Sequence, residues 1–419
     1  MANTALSFDT DTIPDPWSLP IDQIDPSRAE LYLNDRHGAY FQRLRQDDPV
    51  HFCAHSDFGP YWSITRFNDI VAVETNTKVF SSEPSIIIGE PSDGFQPPMF
   101  IAMDPPVHDV QRRAASPAVG PTRLSELEAV IRQRAAAILD SLPVGPTFNW
   151  VELVSRELTT QMLATLFDVP FEDRHLLPYW SDISTSSEAV GIPTDMAERQ
   201  RILMECLAYF SRLWQERAAA PPKFDFVSLL AHNPDTKDMI ANPIEFLGNL
   251  MLLIVGGNDT TRNSISGGVV FLNQNPGEYD KLRADPGLIP NMVSEIIRYQ
   301  TPLSHMRRTA KEDVVFNGKQ IRKGDKVVLW YCSGNRDETV IDSPDEFRID
   351  RERARHHISF GFGIHRCMGN RMAEMQLRVL WEEIMKRFSR IEVVAPPERV
   401  LSNFVNGYED VQVRLHRHA

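Results

Sequence analysis

The chain has 419 residues, 42% of them hydrophobic and 24% charged, an ordinary globular make-up that can bury a sizeable core without disulfide or metal staples. Its 44 Lys and Arg against 57 Asp and Glu leave a net charge of −13, which argues against a nucleic-acid partner, because such proteins carry a basic footprint. Cys53, Cys206, Cys332 and Cys367 contain no CxxC pair, and four thiols in so long a chain make no disulfide framework.

Residues 1–28, rich in Pro, Asp and Ser, read as an irregular arm. They lack the basic region and apolar core of a secretory signal. An amphipathic helix is expected around residues 38–46. Residues 50–53 and 61–65, separated by Asp57, Gly59 and Pro60, read as a hairpin. Residues 81–98 combine several Pro and Gly with Ile86, Ile87 and Ile88 and read as a long loop or lid. From 121 to about 216 the pattern is helical, with breaks near Pro143, Pro170 and Pro193. Residues 307–329 alternate as strands do, and short strands return after Lys386. The longest apolar run, 246–257, suits a buried helix better than a membrane span, so no membrane anchor is expected. No low-complexity linker divides residues 29–419. The expectation is one mainly α domain with small peripheral β-sheets.

Within that pattern the helix expected over 243–275 stands out. Asn242, Pro243 and Glu245 make an N-cap, a first-turn proline and an acid at the third position, and Pro276-Gly277 stops it. At 1.5 Å per residue it spans about 50 Å, the width of a domain. Its first half is apolar on nearly all faces, so it is buried all round. Yet Gly256-Gly257-Asn258-Asp259-Thr260-Thr261 stands in its middle. Each interior glycine costs roughly 1 kcal/mol relative to Ala. The Thr260 hydroxyl can turn onto the Gly256 carbonyl and bend the helix. Two readings stay open. Either the glycines pack helices together and Asp259 pairs with a basic side chain, or a flat ligand lies against the glycines while Asp259 and Thr260 handle protons.

The second unusual stretch is Phe360-Gly361-Phe362-Gly363-Ile364-His365-Arg366-Cys367-Met368-Gly369. Met368, Met372, Met375 and Val379 follow at helical spacing, which puts Cys367 at a helix N-terminus. The glycines permit a turn with φ > 0, so backbone N–H groups can point at the sulfur and favour a thiolate, the metal-binding form. The other three cysteines read as inert and buried. Gly361 and Gly363 begin a GxGxxG pattern, but Arg366 occupies its last position and no βαβ unit surrounds it.

This stretch resembles, at every fixed position, the haem-ligand signature F-x-x-G-x-[HR]-x-C-x-G of the cytochrome P450 haem-thiolate monooxygenases. Residues 256–261 resemble the same family's [AG]-G-x-[DE]-T-[TS] motif, in the right order and spacing. Glu295 and Arg298 resemble its E-x-x-R pair, and Arg351 the arginine that completes that ion-pair network in support of the cysteine loop. The resemblance covers essentially the whole chain and implies the P450 fold, with its long central helix crossing haem b. It implies Cys367 as the iron ligand within a cofactor site that includes Gly256, Phe360 and Gly369. His108, Arg112, Arg308 and His365 match propionate-binding positions, which is sound chemistry for carboxylates buried beside a macrocycle. Thr260 would position oxygen and a water, and Asp259 would relay protons.

The longer strings around both motifs look like the bacterial terminal alkane hydroxylase subfamily. That implies ω-hydroxylation of medium-chain alkanes or similar apolar chains with O2. Fatty-acid, terpene and steroid side-chain hydroxylation are alternatives, and a non-catalytic haem gas sensor is a more distant one. The expected pocket wall is Ile88, Met99, Leu252, Val255, Leu303 and Phe404. The stretch after Cys367 is too short for a reductase domain, so a separate [2Fe-2S] ferredoxin with an NAD(P)H-dependent ferredoxin reductase is implied. Arg113, Arg366, Arg371 and Arg378 form a candidate docking patch. A cytoplasmic monomer is expected.

Overall fold

The computed structural model describes residues 13–90, 95–185 and 195–418. Helix dominates. The longer helices used below are α1 (His37–Asp47), α2 (Phe67–Thr75), α3 (Val107–Ala115), α4 (Pro121–Ser141), α5 (Glu157–Phe167), α6 (Leu176–Thr185), α7 (Met196–Ala218), α8 (Pro243–Gln274), α9 (Ile289–Gln300) and α10 (Asn370–Arg387). Helix α8 matches the expected span almost residue for residue. It runs through the largest hydrophobic cluster and packs against α5, α6, α7, α9 and α10. Asn242 stands at its N-cap position but makes no side-chain cap, and Glu245 instead accepts from Gln111 Nε2 at 2.6 Å. A helix buried on all faces is fixed by packing rather than by its cap.

The main sheet has five strands in the order β1-β2-β5-β4-β3, where β1 is Val50–Cys53, β2 Tyr61–Ile64, β3 Phe80–Ser81, β4 His305–Ala310 and β5 Lys326–Trp330. The expected hairpin is β1–β2, antiparallel with Val50 opposite Ile64, while β2 and β5 are parallel. Period-two alternation sorts β5 between two cores. Val327 and Leu329 join a cluster with Trp62, Ile64 and Ile70, whereas Val328 and Trp330 join another with Ile24, Tyr61 and Ile88. Among the described residues three smaller sheets lie elsewhere, so the structure is mainly α with small sheets.

Residues 1–12 of the expected arm, the expected break at Pro193 and residues 91–94 of the expected lid lie outside the described residues. The rest of the arm carries two short 3-10 helices, Pro16–Ser18 and Ile21–Gln23, and buries Ile13, Pro16 and Ile24. No described helix is long and apolar enough to cross a membrane.

Candidate active site

Helix α8 and the cysteine loop line one cavity of about 340 Å³. The loop is closed on itself. The Cys367 N–H donates to the Phe360 carbonyl at 2.8 Å, and that of Gly361 to the Ile358 carbonyl at 2.8 Å. Gly361 and Gly363 have φ of 65° and 66°, and a Cβ on Gly363 would stand 2.7 Å from the Glu74 carbonyl oxygen. Glycine is therefore required at 363 by both conformation and space. Helix α10 starts at Asn370 with Gly369 as its N-cap, so Cys367 lies in the turn just before the helix rather than on it. Its electrostatics also differ from the expected thiolate. Burial pushes the thiol pKa up, and the Gly369 N–H with the charges of Arg112 and Arg366 offsets this only in part. A coordinated metal ion would remove the proton outright.

The four expected propionate partners converge on this loop. His108 and Arg112 sit one turn apart on α3. The His108 ring lies 4.2 Å from that of His365. His108 Nδ1 meets Asp109 Oδ1 at 2.8 Å, but its Nε2 is buried with no hydrogen-bond partner among the described residues, and so is His365 Nδ1. Arg112, Arg308 and His365 line the cavity. His365 is pushed down to about 2 by burial and by the charges of Arg308, His108 and Arg112. Two orphaned ring nitrogens beside two guanidiniums form a site short of an anion, and propionates fit it. A residue invisible to the sequence reading shares this corner. Glu74 of α2, fully buried, pairs through Oε2 with Arg308 Nη2 at 2.9 Å and accepts from the Tyr331 hydroxyl through its other oxygen. Nothing in the residues around Glu74 signals that role.

On α8, a Cβ added to Gly256 would meet nothing within 4 Å, and Gly256 and Thr260 both line the cavity. The Thr260 hydroxyl donates to the Gly256 carbonyl at 2.8 Å, as the spacing predicts. Gly257 instead packs helices together, since a Cβ there would stand 2.7 Å from Leu163 Cδ2. Each reading of the motif thus holds for a different residue. Asp259 does not line the cavity. It is buried against α6, accepting from the Ser181 hydroxyl at 3.2 Å and from Asn258 Nδ2 at 2.9 Å, with Arg262 Nη2 at 3.0 Å. Arg262 continues to Asp182 at 3.0 Å, and Asp182 to Arg156 at 2.9 Å. Burial raises the Asp259 carboxyl pKa, and Arg262 pulls it back.

Glu295, Arg298 and Arg351 form one buried network. Glu295 takes two bonds of 2.8 Å from Arg298 and one of 3.0 Å from Arg351 Nε. Arg298 Nη1 donates to the Asn335 carbonyl at 2.8 Å, and the Asn335 side chain holds the Ile358 N–H and the Ser359 hydroxyl, both at 2.8 Å. The network therefore reaches the base of the cysteine loop.

Met99, Leu252, Val255, Leu303 and Phe404 line the cavity, and Phe360 and Gly369 lie on its wall near Cys367. Ile88 does not line it. Its N–H donates to His305 Nε2 at 3.2 Å, which turns the side chain into the core beside Trp330, and Ile86 and Ile87 take the wall position instead. Arg199 of α7, not anticipated from the sequence, also lines the cavity.

Comparison with known proteins agrees with this geometry. A family model described as Cytochrome P450 matches residues 287–407. The linalool 8-monooxygenase of Pseudomonas putida is 36% identical over 402 residues, 93% of this chain and 98% of its own. Among solved structures, cytochrome P450-153 from Novosphingobium aromaticivorans is 45% identical with a TM-score of 0.88, over 94% of this chain and 99% of its own. CYP153D17 from Sphingomonas sp. PAMC 26605 is 47% identical with a TM-score of 0.89, over 95% and 100%.

Proposed function

The chain belongs to the cytochrome P450 family of haem b monooxygenases and resembles the bacterial terminal alkane hydroxylases, and on that premise we propose that it hydroxylates the ends of medium-chain alkanes or similar apolar chains. The observation that carries this reading is a single cavity joining Cys367 and Thr260 to a wall of Met99, Leu252, Val255, Leu303 and Phe404. These five side chains offer an apolar chain contacts that need no hydrogen bond.

Cys367 would hold the iron, and His108, Arg112, Arg308 and His365 the propionates, with Gly256 leaving the face of α8 open. When bound, the haem supplies dioxygen activation and the oxidising power for a C–H bond. The Thr260 hydroxyl is committed as donor to the Gly256 carbonyl, so its oxygen is left to accept from a water in the cavity. Asp259 reaches that water only by releasing Arg262, so the Arg262–Asp182 pair would set how readily its carboxyl exchanges a proton.

Titration of the haem-loaded enzyme with octane, decanoate and linalool tests the substrate class. Octane is expected to give the largest low-to-high spin shift and a primary alcohol as product. A response confined to linalool would sink the alkane reading. Arg199 favours one second reading, an ω-hydroxylated chain whose far end carries a carboxylate. In that case decanoate gives the larger shift and Arg199→Ala removes it.

Electrons would come from a [2Fe-2S] ferredoxin and its NAD(P)H-dependent reductase, acting on a cytoplasmic monomer. Arg113, Arg366 and Arg371 are exposed and make no ion pair among the described residues, whereas Arg378 is tied to Glu128 and Glu382 at 2.9 and 2.8 Å. The docking patch is therefore three arginines rather than four. Turnover with ferredoxin is expected to fall steeply between low and physiological salt, and Arg371→Glu to weaken that dependence.

A further inference from the structure

A second cavity, of about 270 Å³, lies between α1, the end of α9 and Asn406. Phe41 and Tyr299 wall it, together with Arg45, Thr301, Arg336 and Asn406. Arg45 is already satisfied, by Glu338 at 3.0 Å and the Ser333 hydroxyl at 3.1 Å. Arg336 is not. Its guanidinium lies over the Tyr299 ring, 3.8 Å from the centroid, and Nη2 donates to the Tyr299 carbonyl at 3.0 Å. Nε stands 3.5 Å from Asp345, whose side chain is 77% exposed and so well screened by water. Nη1 is buried with no partner among the described residues. Burial and the neighbouring Arg298 lower the guanidinium to about 10, which leaves it a cation at neutral pH. An incompletely paired cation with an idle donor calls for an anion.

We propose that this cavity is a binding site for a small monocarboxylate, held by Arg336 Nη1 with its carbon chain between Phe41 and Tyr299. Arg336 brings one positive charge to the site and the exposed Asp345 offsets part of it, which favours a monoanion over a dianion such as phosphate. The cavity is slightly smaller than the roughly 300 Å³ at which drug-sized pockets begin, so the ligand is short. Its back wall is shared with the active site. Thr301 and Asn406 line the second cavity, while Leu303 and Phe404 line the first. The two segments are stitched together by Gln300 Nε2 to the Asn406 carbonyl at 2.7 Å, Asn406 N–H to the Pro302 carbonyl at 3.0 Å and Ser304 N–H to the Phe404 carbonyl at 2.8 Å. A carboxylate in the second cavity therefore alters affinity in the first, and the reverse. This coupling rests on the substrate reading above; the binding itself does not.

The test is calorimetry on the haem-loaded enzyme with sodium butyrate and inorganic phosphate at fixed ionic strength, then octane titration at saturating butyrate. One saturable butyrate site is expected. Arg336→Gln should weaken it about tenfold, and Asp345→Asn, an exposed change that keeps the fold, should tighten it severalfold. Octane affinity should shift about fivefold. Equal, unsaturable uptake of both anions, or indifference to both variants, overturns the site. Butyrate that competes with octane and is lost in Arg199→Ala places the ligand in the main cavity and also overturns it. A site that binds as expected but leaves octane affinity unmoved overturns the coupling alone.

Discussion

Thr260 and Asp259 are adjacent in the chain yet serve different surroundings, and that separates their expected phenotypes. Thr260 stands on the cavity wall and acts on whatever lies there, so Thr260→Ala should keep NAD(P)H consumption near normal while product per NAD(P)H falls by about an order of magnitude. Thr260→Ser, which keeps the hydroxyl, should restore most of that coupling. Asp259 is held away from the cavity by Ser181 and Arg262. Asp259→Asn keeps those contacts' shape but not the charge, so it should slow turnover by about a hundredfold with coupling little changed. The check is reductant and product measured together; identical uncoupling in both alanine and asparagine variants would remove the distinction. Residue identity was legible here from the motif alone. Direction was not, because one position along a helix rotates a side chain by a quarter turn or more, and only the surrounding helices decide which side is cavity. The same limit explains Ile88, whose place on the wall is taken by Ile86 and Ile87.

At the scale of elements, α8 was legible end to end because its apolar run and its proline stop are local signals. What it packs against was not. Gly248 shows this: a Cβ there would stand 2.0 Å from the Pro98 carbonyl oxygen, and next to it Asn249 Oδ1 accepts the Phe100 N–H at 2.9 Å. The segment that carries Met99 to the cavity is thus seated directly on the backbone of α8. Gly248→Ala meets rigid backbone rather than a movable side chain, so it should destabilise the fold by about 1–3 kcal/mol and weaken octane binding as Met99 shifts. Gly256→Ala is the contrast, because open space meets its Cβ. It should leave stability unchanged or raise it by up to about 1 kcal/mol, with haem loading retained, because the family motif admits alanine at this position. Denaturant melts of the apoprotein beside haem titration separate the two; equal destabilisation would contradict the assigned surroundings. The buried triad of Glu295, Arg298 and Arg351 was likewise legible as a motif, but its link through Asn335 to the cysteine loop joins segments with no sequence signal in common.

For the whole molecule, the net charge of −13 says little about how stability depends on pH, because the response is set by a few buried groups. His37, His305 and His357 are driven down to about 4, 3 and 3, in each case chiefly by burial. His305 is the clearest case. Its Nε2 accepts from the Ile88 N–H at 3.2 Å, which leaves the proton on Nδ1 to be donated to the Asn403 carbonyl at 3.1 Å. One neutral ring thereby joins β4 to the 85–88 segment and to the loop that carries Phe404, and a second proton would break the Ile88 bond. Unfolded, each histidine titrates near 6.5. Above that pH neither state is protonated and the stabilising contribution is complete. Below it the unfolded chain takes up protons that the folded chain refuses, so stability falls at up to about 1.4 kcal/mol per pH unit for each histidine until the folded value is passed. Depressed carboxylates such as Glu383, held at about 2 by Lys386, Arg132 and Arg387, lose their contribution only below about 4.5, so stability lost between pH 6.5 and 5 comes from the histidines. Denaturant melts across that interval should show the midpoint falling steadily with pH, and His305→Gln, which keeps a donor and an acceptor but cannot be protonated, should shallow the slope by up to about 1.4 kcal/mol per pH unit. A flat profile, or a slope unchanged in that variant, would show that His305 is not the buried neutral strut its two bonds describe.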